Sequence, residues 1–188
     1  MGQPERKLIV ESDLGELVGV GDFRAVVLYK SFPHTFVIKV PAWEMAEADE
    51  VTVQRIRESM SANYGTDDMA RYDYDGWQRL SRVLPENMRE FFAPVLTIHN
   101  FRYSGDAIVQ PLIHDMNMEP SRNLRTAETD LAHNIAFQRR LELLQKGLAD
   151  IGLKYDAMRR RHILAQEFEP GSFCPVVVNP RELYKIMS

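Results

Sequence analysis

Apolar and β-branched residues in the first part of the chain predict three neighbouring strands. The segment from Glu16 to Val40 is rich in valine, isoleucine and phenylalanine, and it is interrupted at Gly19, Gly21 and Ser31–His34. Short apolar runs bounded by turn residues are typical of antiparallel strands. We therefore expect a strand, a tight glycine turn, a second strand and then a third.

Helical spacing replaces this pattern after Glu44. Apolar residues recur every three or four positions up to about Tyr64, and they do so again from Met69 to Leu84. Pro85 ends the second pattern because proline cannot continue a helix. The sequence thus predicts two helices after the third strand.

The remaining pattern predicts two more strands, one long helix and a closing hairpin. A stripe of leucine and isoleucine predicts a single helix from a cap at Thr126 to Ile151, closed by Gly152. The other elements are expected at Phe91–Ile98, Ala107–Ile113, a turn at Ser104–Asp106, and the hairpin of His162–Gln166 with Pro175–Asn179. About five strands followed by a helical second half indicate an α+β fold.

Composition and charge exclude several classes of protein. The chain has 188 residues, a formal charge of −4 and 45% hydrophobic residues, which predicts one compact domain rather than disorder. The single cysteine, Cys174, favours a reducing cytoplasm. Met1–Val10 is too polar for a signal peptide, and no apolar run approaches the roughly 20 residues of a membrane helix. The acidic balance argues against nucleic acid as a partner, since such binding depends on neutralising phosphates.

The first candidate for chemistry is the glycine turn together with a lysine. In a turn such as Gly19–Gly21, missing side chains let backbone N–H groups approach phosphate oxygens, although two glycines also occur in ordinary hairpins. Lys39 lies thirteen residues after Val26 in an otherwise apolar strand. A buried ammonium needs a partner, so this lysine indicates a site.

These two features resemble the G-x-G-x-F-x-x-V and V-A-I-K elements of protein kinases. A strand follows the turn, whereas the Walker loop and the dinucleotide fingerprint lead into a helix. The resemblance implies that Gly19, Gly21 and Phe23 cover the phosphates of ATP and that Lys39 binds them. Arg24 stands where the third glycine of the motif would be.

The resemblance also implies an acidic partner for the lysine and a strand that leads to the adenine. Asp73 suits the first role, and Glu58 on the preceding helix is a rival. The alternative interpretation of Asp73 is a solvated helix residue. Gln110 and Leu112 belong to the strand that would enter a kinase hinge, whose backbone hydrogen-bonds the adenine edge.

A later segment, Leu153–Leu164, resembles the catalytic loop H-R-D-L-K-P-x-N-I-L with its reactive residues changed. Ala157 falls on the catalytic aspartate, Asp156 lies one residue early and is the candidate general base, and Arg159 matches the loop lysine in charge. The triplet Arg159–Arg161 is open to three interpretations: a solvated loop, a phosphate or partner contact, or a nucleic-acid contact.

Two further changes concern the metal. His162 and Asn179 stand at the positions of the metal-binding asparagine and of the aspartate in V-x-x-D-F-G. A neutral amide and an imidazole are poor ligands for a hard cation, so we do not expect tight Mg²⁺ binding. Nine residues follow Asn179, so we expect no activation segment and no platform for a peptide substrate.

From Leu17 to Glu182 the pattern is similar to the YrbL-like kinase family named for the PhoP regulatory network. This resemblance implies a minimal protein-kinase-like fold in one domain, 1–188, with a five-stranded antiparallel N-lobe and hinge in 1–113 and a truncated helical C-lobe in 114–188. The expected function is that of a pseudokinase-type regulatory protein with a protein partner. The alternatives are an active divergent phosphotransferase, or a binding module of unrelated α+β fold in which Lys39 is a strand-edge residue.

Overall fold

The computed structural model describes residues 8–21, 23–46, 48–101 and 105–187. Ser104 of the predicted turn and residues 1–7 of the predicted polar start lie outside these ranges. The described residues form an α+β fold that divides into two compact units. Unit 1 comprises the described residues up to Asp75 together with Val95–Leu112, and unit 2 comprises Gly76–Pro94 and the described residues from Ile113 onward. Gly76–Pro94, which the sequence analysis assigned to the first lobe, thus belongs to unit 2.

Unit 1 is built on a mixed sheet in the strand order β1-β5-β6-β4-β3-β2. Its strands are β1 Leu8–Ile9, β2 Leu14–Val20, β3 Arg24–Tyr29, β4 Phe36–Pro41, β5 Thr97–Phe101 and β6 Gly105–Pro111. The expected five antiparallel strands are present, but β1 adds a sixth that runs parallel to β5. The expected count and the all-antiparallel description are therefore wrong. The sequence did not reveal β1 because a two-residue strand is too short to show an alternating pattern.

The two faces of this sheet differ in chemistry. One face carries the main hydrophobic cluster, which includes Ala25, Val27, Ile38, Val40 and Val109. Because side chains alternate along a strand, the intervening residues face the other way. That second face carries three buried polar side chains, which are Arg24, Lys39 and Gln110.

Helices follow β4 as predicted, with one interruption. They are α1 Ala42–Met45, α2 Glu50–Tyr64 and α3 Met69–Val83. A new helix begins after Asp49 because its carboxylate accepts a hydrogen bond from the backbone N–H of Thr52 (2.8 Å). Gly65, at φ 72°, ends α2 in the left-handed region that glycine adopts without strain.

Unit 2 contains a small antiparallel sheet, β7-β8-β9, with helices before and after it. Its elements are 3₁₀ turns at Glu86–Phe91, Tyr155–Ala157 and Arg160–His162, strands β7 Arg122–Asn123, β8 Ile163–Glu169 and β9 Ser172–Val177, and helices α4 Leu124–Leu131, α5 Ile135–Asp150 and α6 Arg181–Ile186. The predicted closing hairpin is confirmed as β8 and β9.

The single long helix predicted from Thr126 to Ile151 is wrong, because the chain forms α4 and α5 instead. Asn123, not Thr126, caps the first helix, and Asn134 caps the second by accepting from the backbone N–H of Phe137 (2.9 Å). An asparagine cap satisfies a helix N–H that has no partner within the helix, so it starts a new helix where the apolar stripe alone suggested continuity.

The strand predicted at Phe91–Ile98 is also wrong over most of its length. A 3₁₀ turn ends at Phe91, and β5 begins only at Thr97. Phe92 and Ala93 are buried in unit 2, where the backbone N–H of Ala93 donates to the carbonyl of Val177 (2.9 Å). Burial explains the apolar run without a regular strand.

The last helix of unit 2 is held by two buried side chains. Leu183 and Tyr184 of α6 lie in the interior. Gly76 of α3 lies so close to the Tyr184 ring that a methyl group on Gly76 would overlap it. Within the part of the chain that the structure describes, no helix combines the length and apolar character needed to cross a membrane.

Candidate functional site

The glycine hairpin joins β2 to β3 at one side of the unit 1 sheet. The backbone N–H of Gly21 donates to the carbonyl of Arg24 (2.8 Å), and Gly19 pairs with Val26. A methyl group added to Gly19 would meet nothing within 4 Å, and one added to Gly21 would make only an ordinary contact of 3.5 Å with the Arg24 carbonyl oxygen. Packing within unit 1 therefore does not require glycine at either position.

Phe23, which the resemblance placed over the phosphates, packs inside unit 1. Its ring meets the Tyr64 ring edge-on, with centroids 5.9 Å apart, and Tyr64 meets Tyr72 in the same manner at 5.4 Å. The Phe23 carbonyl accepts from the backbone N–H of Ala42 (3.0 Å). The side chain thus contributes to a small aromatic cluster beside α2 and α3.

Lys39 lies in the interior of the sheet and not at its edge. It pairs with Val26 of β3 on one side and with Ile108 of β6 on the other, and only 9% of it is exposed. The alternative in which Lys39 is a strand-edge residue is therefore wrong. A lysine at this depth keeps its charge only with compensation, and Lys39 does have an interaction partner within the structure.

The structure separates the two acidic candidates on the helices. Asp73 is only 5% exposed and lies on the buried stripe of α3, with Met69 and Ala70 one turn before it. Glu58 is exposed on α2 and accepts a hydrogen bond from Gln54 (2.9 Å). Asp73 is thus not a solvated helix residue, and of the two carboxylates it alone is buried in unit 1.

Gln110 and Leu112 occupy the end of β6 and the residues that follow it. Gln110 is buried and pairs with Val37 of β4. The backbone N–H of Leu112 donates to the carbonyl of Thr35 (2.9 Å). This N–H is therefore already used within unit 1, and contact of the strand's backbone with an adenine edge stays a prediction.

The candidate catalytic residues lie together in unit 2. Asp156 is exposed in the 3₁₀ turn Tyr155–Ala157. Arg159 pairs with Glu182 of α6 at 3.3 Å (Nε to Oε1), and Arg160 pairs with Glu128 of α4. The arginine triplet is thus not simply solvated, because at least two of its guanidinium groups form ion pairs within the unit.

His162 and Asn179 both lie near the open end of the β8–β9 hairpin. The backbone N–H of Val178 donates to the His162 carbonyl (2.9 Å), which places His162 beside the residue that precedes Asn179. Among the described residues, no group of three or more histidine, cysteine, aspartate or glutamate side chains could hold a metal ion. A neutral amide and an imidazole offer few of the oxygen ligands that Mg²⁺ prefers, so weak Mg²⁺ binding stays a prediction.

Glu182 is the residue that sequence reasoning missed. Its Oε2 lies 3.7 Å from His162 Nδ1, which is too long for a hydrogen bond but close enough for a charge interaction. Burial acts to raise the pKa of this carboxyl, but the interactions with His162 and Arg159 and a backbone hydrogen bond hold the pKa below its ordinary value. No motif marks Glu182; its only signal is its place three residues after Asn179.

No protein-family model matches the chain, and no curated protein matches it. The assignment of function therefore depends on the geometry of these residues and on the resemblance of their motifs.

Proposed function

We propose that the chain is a protein-kinase-like, nucleotide-binding protein of the pseudokinase type, which regulates a protein partner rather than transferring phosphate. The observation that carries this proposal is the buried Lys39 in an interior strand, one strand away from the glycine hairpin. In kinases the phosphate-binding lysine lies on the third strand of the sheet, beneath a glycine-rich loop.

The arrangement around Lys39 supports nucleotide binding. Lys39 is on the third of the five antiparallel strands, and the hairpin at Gly19–Gly21 joins the first two. Asp73, on the helix that precedes the fourth of these strands, is a buried carboxylate in the same unit. Packing requires neither glycine, and this freedom supports a role in which a ligand approaches the backbone.

The residues of unit 2 favour binding without catalysis. Ala157 replaces the catalytic aspartate, and Asp156 is exposed in a 3₁₀ turn. Arg159 lies 3.3 Å from the Glu182 carboxylate, so its positive charge is compensated within the unit, and His162 lies 3.7 Å from the same carboxylate. Phosphoryl transfer depends on bound metal ions and on positioned charges. We expect His162 and Asn179 to bind Mg²⁺ poorly, and the charge of Arg159 is already paired with Glu182.

A thermal-shift titration with ATP, with and without Mg²⁺, tests the proposal. We expect ATP to raise the melting temperature of the parent protein in EDTA, and Lys39→Met to abolish the shift because it removes the ammonium while keeping the apolar stem. Lys30→Met is the matched control, since Lys30 is an exposed lysine of the same unit. At 100 times its Kd, ATP stabilises by about 2.7 kcal/mol, or about 5–10 °C for a chain of this size.

The same titration separates the alternatives. A shift that requires Mg²⁺, together with transfer of labelled phosphate that Asp156→Ala abolishes, would favour the divergent phosphotransferase. The absence of a shift in every condition would leave the non-nucleotide binding module. Gly19→Ala adds a second probe. We expect it to leave the melting temperature of the free protein unchanged, because its methyl group meets no other atom of the protein within 4 Å. We expect it to weaken ATP binding, because the methyl group would occupy the space through which the phosphates approach the backbone.

A further inference from the structure

We propose that Arg159 and His162 form a binding site for a phosphate-type oxyanion, and that the Glu182 carboxylate occupies this site in cis. The three residues lie within unit 2, whereas Lys39 and the glycine hairpin lie within unit 1. Glu182 then acts as an internal competitor that an incoming phosphate group must displace.

The geometry of the cluster is that of one carboxylate between a guanidinium group and an imidazole. Glu182 Oε1 lies 3.3 Å from Arg159 Nε, and Oε2 lies 3.7 Å from His162 Nδ1. Arginine and histidine on one segment, facing a single carboxylate from another, form an arrangement that recognises oxyanions. An external phosphate would offer its oxygens to the same two nitrogens.

The carboxylate fits this site imperfectly. Among the described residues, neither His162 Nδ1 nor Glu182 Oε2 has a hydrogen-bond partner, although both atoms are buried. A buried polar atom without a hydrogen bond is unfavourable, so an anion that supplies the missing hydrogen bonds can bind in place of the carboxylate. A tetrahedral phosphate carries more acceptor oxygens and more charge than a carboxylate.

The site is accessible, and its occupant can leave without unfolding α6. The Arg159 side chain is 54% exposed, whereas the side chains of His162 and Glu182 are 16% and 18% exposed. The helix that carries Glu182 is held by the buried Leu183 and Tyr184. A rotation of the Glu182 side chain alone can therefore open the site to an anion from solvent.

The charge state of Glu182 agrees with its role as a competing anion. Burial acts to raise the pKa of its carboxyl, but His162 and Arg159 hold it below the ordinary value, so the group is ionised at neutral pH. The pair of Arg160 with Glu128 offers a contrast, since both of those side chains are at least half exposed. Exposed pairs contribute little, so releasing Arg160 should create no site.

Binding of inorganic phosphate to substituted proteins tests the proposal. We expect Glu182→Gln to tighten phosphate binding about tenfold relative to the parent, measured by isothermal titration or by thermal shift, because a partly buried charge pair loses its own anion. The matched control, Glu128→Gln, should leave phosphate affinity at the parent value. In the double variant with Arg159→Gln, the gain should disappear.

Three results would overturn the proposal. The first is unchanged phosphate affinity in Glu182→Gln, the second is an equal gain in Glu128→Gln, and the third is a gain that persists in the double variant. A parallel arm with ATP distinguishes a terminal phosphate from free phosphate: ATP binding that Lys39→Met abolishes but Arg159→Gln does not alter belongs to unit 1.

A measurement on the parent protein keeps the test decisive if a variant fails to fold. We expect saturating phosphate to increase hydrogen exchange of the amides in α6 slightly, because the helix loses its tie to Arg159 and His162 while Leu183 and Tyr184 still hold it in place. Unchanged or slower exchange at saturation would contradict displacement of Glu182.

Discussion

Gly76→Ala tests the packing that holds α6 in place, because Gly76 and Tyr184 are in immediate contact. A Cβ atom at position 76 would lie 2.6 Å from Tyr184 Cε2 and closer still to two other ring carbons. Carbon atoms pack at about 3.5–4.0 Å, so the ring has to move by about 1 Å or leave the interior. Tyr184 is almost completely buried, which leaves it little room to move.

The expected magnitude follows from two opposing effects. Overpacking a close-packed interior costs about 1–3 kcal/mol, whereas replacing a helical glycine by alanine returns about 1 kcal/mol of helix propensity. Because the overlap is large and the ring is almost completely buried, we expect an overpacking cost of about 2–3 kcal/mol. The net result should be a loss of about 1–2 kcal/mol in the free energy of unfolding, measured by urea denaturation followed by circular dichroism.

A second background isolates the cause of this loss. In a Tyr184→Ala protein the overlap is gone, so adding Gly76→Ala should raise the free energy of unfolding by up to about 1 kcal/mol through helix propensity alone. A Gly76→Ala protein that is as stable as the parent, or a substitution that has the same effect in both backgrounds, would refute the reasoning.

Three further predictions concern unit 2. Asn134→Ala removes the cap of α5 and should cost about 1–2 kcal/mol in urea denaturation, and no change would contradict the capping role. Asp115→Asn weakens a carboxylate that accepts from a serine hydroxyl at 2.6 Å and from a backbone N–H at 2.8 Å; we expect a loss of about 1.5–3 kcal/mol by the same assay. Burial raises the pKa of the Cys174 thiol, so at pH 8 it should react with Ellman's reagent far more slowly than free cysteine, and at a normal rate once urea unfolds the chain. Fast labelling of the folded protein would contradict this burial.

Elements with strong periodicity and clear boundaries could be predicted from the sequence. The strands around the glycine hairpin, the helix that ends before Pro85 and the closing β8–β9 hairpin lie close to where the apolar pattern places them. In each case local propensity, turn residues and burial favour the same element.

The errors arose where one pattern fits two structures. The apolar stripe continues across Asn134, yet its side-chain cap begins a new helix there. Phe92 and Ala93, which follow Phe91, are buried in unit 2, and burial does not require a strand. The choice between Asp73 and Glu58 also needed the structure, since helical spacing alone does not show which carboxylate is buried.

Glu182 could not be identified as a site residue because its partners come from a distant part of the chain. Its contacts with Arg159 and His162 depend on the register of β8 and β9 and on the position of α6. The spacing of residues in a sequence predicts local secondary structure, whereas the formation of this ion cluster depends on how the elements pack in the folded protein.

The most direct test of nucleotide binding through Lys39 is isothermal titration of ATP into the parent protein, Lys39→Met and Lys30→Met, in EDTA. We predict saturable binding to the parent and to Lys30→Met, with at least about a tenfold loss of affinity in Lys39→Met, because a charge-assisted contact to phosphate is worth about 1.5–3 kcal/mol. Equal ATP affinity in all three folded proteins, or no binding to the parent, would contradict the account.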